Sequence, residues 1–204
     1  MLKTIQETIS NIDISNIYIH RKNILDELAL YITDKLSKKE KVRLNFICTH
    51  NSRRSILSQV WGHTFAQYFH LKDIYCYSGG TESTTVPNNT LKILEKLGFL
   101  VLPIKEDIFA VKYNKNGTPV IIFSKTYNNK FNPTDNFIAI MTCEDADKAC
   151  PVVYGAERRF SLPYKDPKQF DTLPNVLEKY QKISIQIATE IFYLFSKIKE
   201  ANTP

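Results

Sequence analysis

The residues that carry the clearest chemistry lie in one stretch, residues 48–55, with the sequence CTHNSRRS. Cys48 is followed after five residues by Arg54 and then by Ser55, and the stretch stands between an apolar run and a helical pattern. A loop of this length can turn its backbone N–H groups toward one centre, and the following helix adds its own free N–H groups and the positive end of its dipole. These properties predict a site for a tetrahedral oxyanion.

Three side chains of this loop have distinct expected roles. Arg54 can hold two oxygens of an oxyanion in a bidentate manner. Cys48 at the base lies in a positive field that favours the thiolate, the nucleophilic form, and Ser55 can donate a hydrogen bond to it. The rest of the predicted oxyanion site consists of Thr49, His50, Asn51, Ser52 and Arg53, of which Arg53 adds positive charge. The alternative is that Cys48 is a buried cysteine at the end of a strand and Arg54 merely begins an exposed helix.

The flanking patterns predict the elements that position this loop. Residues 42–48 (VRLNFIC) form an apolar run typical of a strand, and apolar residues recur at helical spacing from 56 to 69. Further strands are predicted at 73–78, closed by Gly79-Gly80, at 99–104 and at 137–141. Helices are predicted before residue 40, after a cap at Asn88 or Asn89, and from about Asn175 onward, and 109–124 indicates a hairpin. This alternation predicts an α/β fold with a mostly parallel sheet and helices on both faces.

Length, composition and charge narrow the function classes. The chain has 204 residues, of which 43% are hydrophobic and 24% charged, and this excludes wholesale disorder. The net charge of +6 comes from basic residues scattered among acids, so no nucleic-acid partner is expected. No apolar run approaches the ~18 residues of a membrane span, and the N-terminus lacks a signal-peptide pattern. We therefore expect a cytoplasmic protein, in which cysteines stay reduced.

Four stretches together resemble one superfamily. CTHNSRRS resembles the phosphate-binding loop of the low-molecular-weight protein tyrosine phosphatases, a superfamily that includes the thioredoxin-coupled arsenate reductases. In the same order, residues 77–82 (YSGGTE) resemble the family's Tyr-Ser-Ala-Gly-Thr-Glu, residues 142–151 (TCEDADKACP) resemble the redox segment of the reductases, and Asp166-Pro167 resembles the general-acid Asp-Pro. The resemblance implies a single, mostly parallel four-stranded sheet over residues 43–204, preceded by a helical extension at 1–42 and carrying a hairpin-like insertion at about 106–133.

The resemblance also implies roles. Cys48 would be the nucleophile, Arg54 the oxyanion clamp and Asp166 the proton donor to the leaving oxygen. In the reductases the second cysteine, here Cys143, attacks the arsenylated nucleophile, and the third, here Cys150, closes a disulfide that thioredoxin reduces. No bound cofactor and no metal are expected, because Cys-x6-Cys is not a usual zinc spacing.

The spacing of Cys143 and Cys150 carries a physical constraint. In a straight helix, their Cα atoms would be separated by about 10.5 Å. A disulfide tolerates only about 4.4–6.8 Å, so a helix here must unwind before the two thiols pair. The alternative is that both cysteines are small buried hydrophobic residues. Cys76, which lies in a predicted strand, is expected to fill the core.

Three function hypotheses follow. We favour a cysteine-dependent arsenate reductase that binds arsenate or phosphate. The alternative is a low-molecular-weight phosphatase that hydrolyses phosphate monoesters, although residues 168–170 (KQF) lack the tyrosines usual after Asp-Pro in that branch. The third is a non-catalytic oxyanion-binding module.

The chain departs from the family at Arg53, where many reductases have cysteine, and at Gly79, where the family has alanine. The 106–133 insertion is expected to cap the pocket, to meet a partner or, as we slightly favour, to be a surface decoration.

Overall fold

The computed structural model describes residues 1–202, so the last two residues of the predicted 43–204 domain lie outside the described part. The α-helices are α1 (Lys3–Ser10), α2 (Ile19–Ser37), α3 (Arg54–Tyr68), α4 (Asn88–Lys96), α5 (Glu144–Ala149) and α6 (Val176–Ala201). The strands are β1 (Val42–Cys48), β2 (Ile74–Gly80), β3 (Leu100–Lys105), β4 (Ile108–Lys112), β5 (Val120–Ile122), β6 (Phe137–Met141) and β7 (Ala156–Ser161). Short 3-10 turns lie at Ile14–Asn16 and Pro167–Phe170.

The central sheet has four parallel strands in the order β2-β1-β6-β7. Cys48 stands opposite Gly80 across β1 and β2, and Ile47 stands opposite Met141 across β1 and β6. Because parallel strands end at the same edge, the chain segments that follow β1, β2, β6 and β7 meet there. This confirms the predicted α/β fold with its parallel sheet. Strand β7 was not predicted, since four of its six residues (AERRFS) are polar, as suits a strand at the sheet edge.

The two faces of the sheet are covered differently. Alternate side chains of a strand point to opposite faces. Leu44 and Phe46 of β1 belong to the main core with the buried sides of α2, α3 and α6, whereas Ile47 belongs to a smaller cluster around α5. The smaller cluster contains two of the cysteines, Cys48 and Cys143. Helices therefore lie on both faces, as predicted, but the face next to α5 is the thinner one.

The N-terminal helices pack on the rest of the chain. Ile5 of α1 and Leu28 of α2 are completely buried in the main core. Arg21 of α2 donates to both carboxylate oxygens of Glu190 of α6, at 2.5 and 2.6 Å, and both side chains are buried. The predicted extension is thus joined to the long C-terminal helix by apolar contact and by a buried ion pair.

The hairpin prediction is confirmed, since β4 and β5 are antiparallel. Strand β3 pairs with β4 and not with the parallel sheet, so these three strands form a second, antiparallel sheet beside the predicted one. Two local predictions were wrong. Strand β2 runs through Gly79-Gly80 to its end, and the residue that caps α4 is Pro87, whose extended backbone places its carbonyl to accept from the N–H of Thr90.

Candidate oxyanion site

The predicted loop connects the end of β1 to the start of α3. The Cys48 Sγ is 3.1 Å from the Ser55 Oγ, and the Asn51 Nδ2 donates to that same hydroxyl at 2.8 Å. Asn51 has a φ of +45°, in the left-handed region, which asparagine tolerates better than most residues. All three side chains are buried. The structure therefore brings the predicted nucleophile and its two predicted stabilisers into one hydrogen-bonded chain.

Gly80, at the end of β2, packs directly against the backbone of this loop. The N–H groups of Thr81 and Glu82 donate to the carbonyls of Cys48 and Thr49, at 3.0 and 2.8 Å. A Cβ atom on Gly80 would lie 2.5 Å from the Thr49 carbonyl oxygen and 2.8 Å from the Asn51 nitrogen. Only glycine lets strand β2 approach the loop this closely.

Arg54 contacts the segment that carries Asp166. Its Nη2 donates to the Asp166 Oδ2 at 2.6 Å, and its Nη1 donates to the Tyr164 carbonyl at 3.1 Å. The Arg54 side chain is only 7% exposed, whereas that of Asp166 is 35% exposed. Both residues line a cleft of about 370 Å³. The guanidinium and the carboxylate therefore share one opening to solvent.

Cys143 lies against the loop from the other side. Its Sγ is 3.4 Å from the Thr49 Oγ1, and it accepts a hydrogen bond from the Ala146 N–H at the start of α5. Cys143 is completely buried and shares the smaller hydrophobic cluster with Cys48. Cys150 follows the end of α5, is partly buried and packs against the same cluster. The thiols of Cys48, Cys143 and Cys150 are all free.

Two predicted loop side chains face other partners. The His50 Nε2 lies 3.7 Å from a Glu82 carboxylate oxygen at the exposed rim. The Arg53 guanidinium, predicted to add charge for the oxyanion, instead bonds Asp171 and Tyr180, each at 2.6 Å. Arg53 can contribute its backbone N–H to the loop, but its side chain is engaged elsewhere.

The remaining loop positions and the fourth cysteine have structural contacts. The Ser52 carbonyl accepts from the Thr90 Oγ1 at 3.1 Å, which joins the loop to α4. Cys76 is partly buried in β2, and burial raises the pKa of its thiol. Its placement agrees with a core-filling role.

The end of the insertion supports the loop, a role that the sequence did not indicate. The Ser124 hydroxyl donates to the His50 carbonyl at 2.8 Å, and the Lys125 backbone N–H donates to the Asn51 Oδ1 at 3.1 Å. The Lys125 side chain is 2% exposed, and burial lowers its pKa to about 8. The last part of the insertion is therefore an internal support for the loop, which differs from the expected surface decoration. No motif signalled these contacts, because two of the four groups involved are backbone atoms.

The described residues contain neither a metal-binding cluster nor a membrane-spanning helix. Within residues 1–202 there is no group of three His, Cys, Asp or Glu side chains placed to hold a metal ion. No helix in the same range has the length and apolar character needed to cross a bilayer.

Comparison with known proteins identifies the fold. No family model matches the sequence, and no curated protein matches it. Solved structures do match. A low-molecular-weight phosphotyrosine phosphatase from Vibrio cholerae O395 aligns over 79% of this chain and 99% of its own, with 15% identity and a TM-score of 0.54. An arsenate reductase in its oxidised state aligns over 76% of this chain and 98% of its own, with 18% identity and a TM-score of 0.52.

A low-molecular-weight protein tyrosine phosphatase from T. tengcongensis aligns over 77% of this chain and 99% of its own, with 18% identity and a TM-score of 0.51. The chain thus has the fold shared by low-molecular-weight phosphatases and arsenate reductases. Because phosphatases and a reductase match about equally well, the fold itself does not separate the two activities.

Proposed function

We propose that this chain is a cysteine-dependent arsenate reductase. The observation that carries the proposal is the position of Cys143, whose buried thiol contacts Thr49 of the oxyanion loop at 3.4 Å and shares a cluster with Cys48. Hydrolysis of a phosphate ester needs one thiol, whereas reduction of arsenate needs at least two. A second buried thiol beside the loop therefore favours reduction.

In the first step the loop binds arsenate. The backbone N–H groups and Arg54 hold the oxyanion, and Arg54 exchanges at least one of its present contacts, to Asp166 or to Tyr164, for an oxyanion oxygen. The Cys48 thiolate forms a bond to arsenic. One hydroxyl of arsenate departs as water, with Asp166 as the general acid that delivers the proton.

In the second step arsenic is reduced. The Cys143 sulfur attacks the Cys48 sulfur, and a disulfide forms between them while the Cys48–arsenic bond breaks. The electron pair of that bond stays on arsenic, which leaves as arsenite and takes up the proton of Cys143. The two thiols have then supplied the two electrons that convert As(V) to As(III).

In the third step Cys150 attacks Cys143, forms the Cys143–Cys150 disulfide and releases the Cys48 thiolate. Helix α5 separates these two cysteines and must unwind for the bond to form. The helix has six residues, of which only Ala146 is buried, so little apolar contact opposes unwinding, and the polar contacts to be broken are those of Asp147 with Arg159 and Ser161 of β7. An external dithiol protein such as thioredoxin would then reduce the disulfide.

The test is arsenate-dependent NADPH oxidation coupled through thioredoxin and its reductase. We expect Cys143→Ala and Cys150→Ala to abolish turnover and to leave oxyanion binding intact, measured as protection of Cys48 from iodoacetamide by phosphate. Cys76→Ala is the matched control and should retain turnover, because Cys76 lies in β2 outside the site. Full steady-state arsenate reduction by Cys143→Ala would contradict the proposal.

A second candidate is hydrolysis of phosphate monoesters through a phosphocysteine. The contact between Arg54 and Asp166 at 2.6 Å supports it, since a carboxyl beside the clamp is placed to protonate a leaving oxygen. Hydrolysis of para-nitrophenyl phosphate should then require Cys48, Arg54 and Asp166, but neither Cys143 nor Cys150. Ester hydrolysis without arsenate turnover by the wild-type protein would select this second candidate.

A further inference from the structure

Arg53 belongs to a buried polar network outside the oxyanion cradle. Its Nε donates to the Tyr180 hydroxyl and its Nη2 donates to the Asp171 Oδ2, both at 2.6 Å. The Tyr180 hydroxyl in turn donates to the Asp171 Oδ1 at 2.5 Å, and the Asn89 Nδ2 lies 3.4 Å from that same oxygen. The Arg53 side chain is 12% exposed. Four side chains from four segments thus converge on one carboxylate-centred cluster.

This network and the contact between Arg54 and Asp166 join the same two segments of the chain. The two arginines are adjacent in sequence, and the two aspartates bracket the 3-10 turn Pro167–Phe170. The oxyanion loop therefore holds the general-acid segment, residues 164–171, at two points. One point is Asp166, whose side chain is about one third exposed at the cleft, and the other is Asp171, which is also bonded to α4 and α6.

The two ties must behave differently when an oxyanion arrives. Arg54 has two of its five N–H donors on Tyr164 and Asp166, and a turn of its guanidinium toward an oxyanion in the cradle loosens these contacts. Arg53 also donates to the Ser52 hydroxyl within the loop at 3.3 Å, but its two shorter bonds go to Asp171 and Tyr180 outside the loop, and an oxyanion need not displace these. Burial raises the pKa of the Asp171 carboxyl, but the bonds from Tyr180 and the charge of Arg53 outweigh burial and hold that pKa below its usual range. Asp171 therefore stays ionised and paired at neutral pH.

We propose that Arg53 is a positioning residue, which holds the general-acid segment in place through Asp171 and Tyr180 while Arg54 turns from Asp166 to the oxyanion. This inference rests on the oxyanion site of the proposed function and on no later step of it. It gives a reason for arginine at position 53, where the guanidinium makes a charge-assisted bond from the loop to Asp171.

The first experiment is hydrogen–deuterium exchange of the full-length protein, followed at residues 164–173 with and without inorganic phosphate. In the wild type we expect exchange of this segment to stay the same or to slow when phosphate binds. In Asp171→Asn and in Arg53→Met we expect phosphate to speed exchange about tenfold, since one charge-assisted tie is lost and the other is diverted. Tyr180→Phe, which removes only a hydroxyl, should give a smaller increase and covers the case in which a charge variant fails to fold.

The matched control is Glu27→Gln, which removes the carboxylate partner of Arg158 in a pair between α2 and β7 that shares no residue with the Arg53 network. It should leave exchange at 164–173 unchanged in both conditions. Equal exchange with and without phosphate in Asp171→Asn, under conditions where phosphate protects Cys48, would overturn the proposal.

A second arm needs no ligand. Arg54→Met breaks the contact with Asp166 permanently and so mimics the diverted state. We expect Arg54→Met alone to leave most of the protection from exchange at 164–173. In Arg54→Met/Asp171→Asn we expect that protection to be lost, with an exchange rate about tenfold higher than the product of the two single effects predicts. Additive effects in this cycle would also overturn the proposal.

The two arms separate this inference from the proposed function. If the wild type fails to reduce arsenate but the exchange results appear as expected, the reductase proposal fails and the positioning role of Arg53 stands. If the wild type reduces arsenate but the variants exchange like the wild type, the positioning role fails alone.

Discussion

The replacement Gly80→Ala tests how tightly strand β2 supports the oxyanion loop. An alanine Cβ at this position would lie 2.3 Å from the Glu82 carbonyl oxygen and 2.5 Å from the Thr49 carbonyl oxygen. A carbon and a carbonyl oxygen normally approach to about 3.3 Å at the closest. The backbone must therefore move by roughly 1 Å, and both oxygens belong to backbone that cannot rotate away as a side chain would.

The size of the effect follows from where that movement occurs. Thr49 is part of the cradle, and the Glu82 N–H donates to the Thr49 carbonyl, so relief of either clash displaces the loop. A misplacement of about 1 Å in a catalytic site can lower the rate by about 100-fold. That factor corresponds to about 2.7 kcal/mol of lost transition-state stabilisation.

The assay is kcat/KM for para-nitrophenyl phosphate or arsenate, together with phosphate protection of Cys48 and urea unfolding. Gly62→Ala is the matched control. Its Cβ would meet the Cys76 Sγ at 2.8 Å and the Phe46 ring at 3.2 Å, which are side chains that can shift, and alanine gains about 1 kcal/mol of helix propensity over glycine. We expect Gly62→Ala to keep activity within a few-fold. A Gly80→Ala protein that folds cooperatively and keeps kcat/KM within about threefold would refute the reasoning.

Two further predictions concern stability. Lys125 has no ion-pair partner among the described residues, and burial lowers its pKa from 10.5 to about 8. Between these values the unfolded chain holds a proton that the folded chain lacks, so the stability of the wild type relative to Lys125→Met should rise by about 3 kcal/mol from pH 8 to pH 10.5. Urea unfolding of both proteins across this range checks the slope, and a flat difference would contradict it. For the buried Arg21–Glu190 pair, Glu190→Leu alone should cost about 3–5 kcal/mol because it leaves Arg21 buried and uncompensated, while Arg21→Met/Glu190→Leu should lie much closer to the wild type. A double variant as unstable as the single one would show that packing, not charge, dominates there.

The sequence predicted those features that depend on local spacing. Strand β1 was placed at its observed bounds, since VRLNFIC is a mostly apolar run that follows the charged stretch 38–41 and ends at the polar loop. The inward face of α6 was also predicted, because Tyr180, Ile183 and Ile187 follow helical periodicity and are all buried. The loop CTHNSRRS predicted the contact between Cys48 and Ser55. The two residues are seven positions apart, so the contact can be predicted without reference to distant segments.

Features that depend on distant partners could not be read in this way. Arg53 looked like a second cation for the oxyanion, but its carboxylate partner lies 118 residues further along the chain. Lys125 bonds Asn51 through its backbone N–H, a donor that every residue except proline has, so the residue type does not indicate the contact. Strand β3 pairs with β4, its neighbour along the chain. The residue pattern of β3 predicts a strand but does not specify which sheet the strand enters.

The two departures from the pattern that the sequence resembles each lie against a distant segment of the chain. Gly79, where the family has alanine, lies under the insertion, and a Cβ there would come within 2.3 Å of the Tyr127 Cα. Arg53, where many reductases have cysteine, bonds Asp171 and Tyr180. In each case the substituted residue fits a contact that an alanine or a cysteine could not make. The structure thus accommodates both departures through distant segments, while Cys48, Asn51 and Ser55 keep their hydrogen-bonded chain and Arg54 keeps its contact with Asp166.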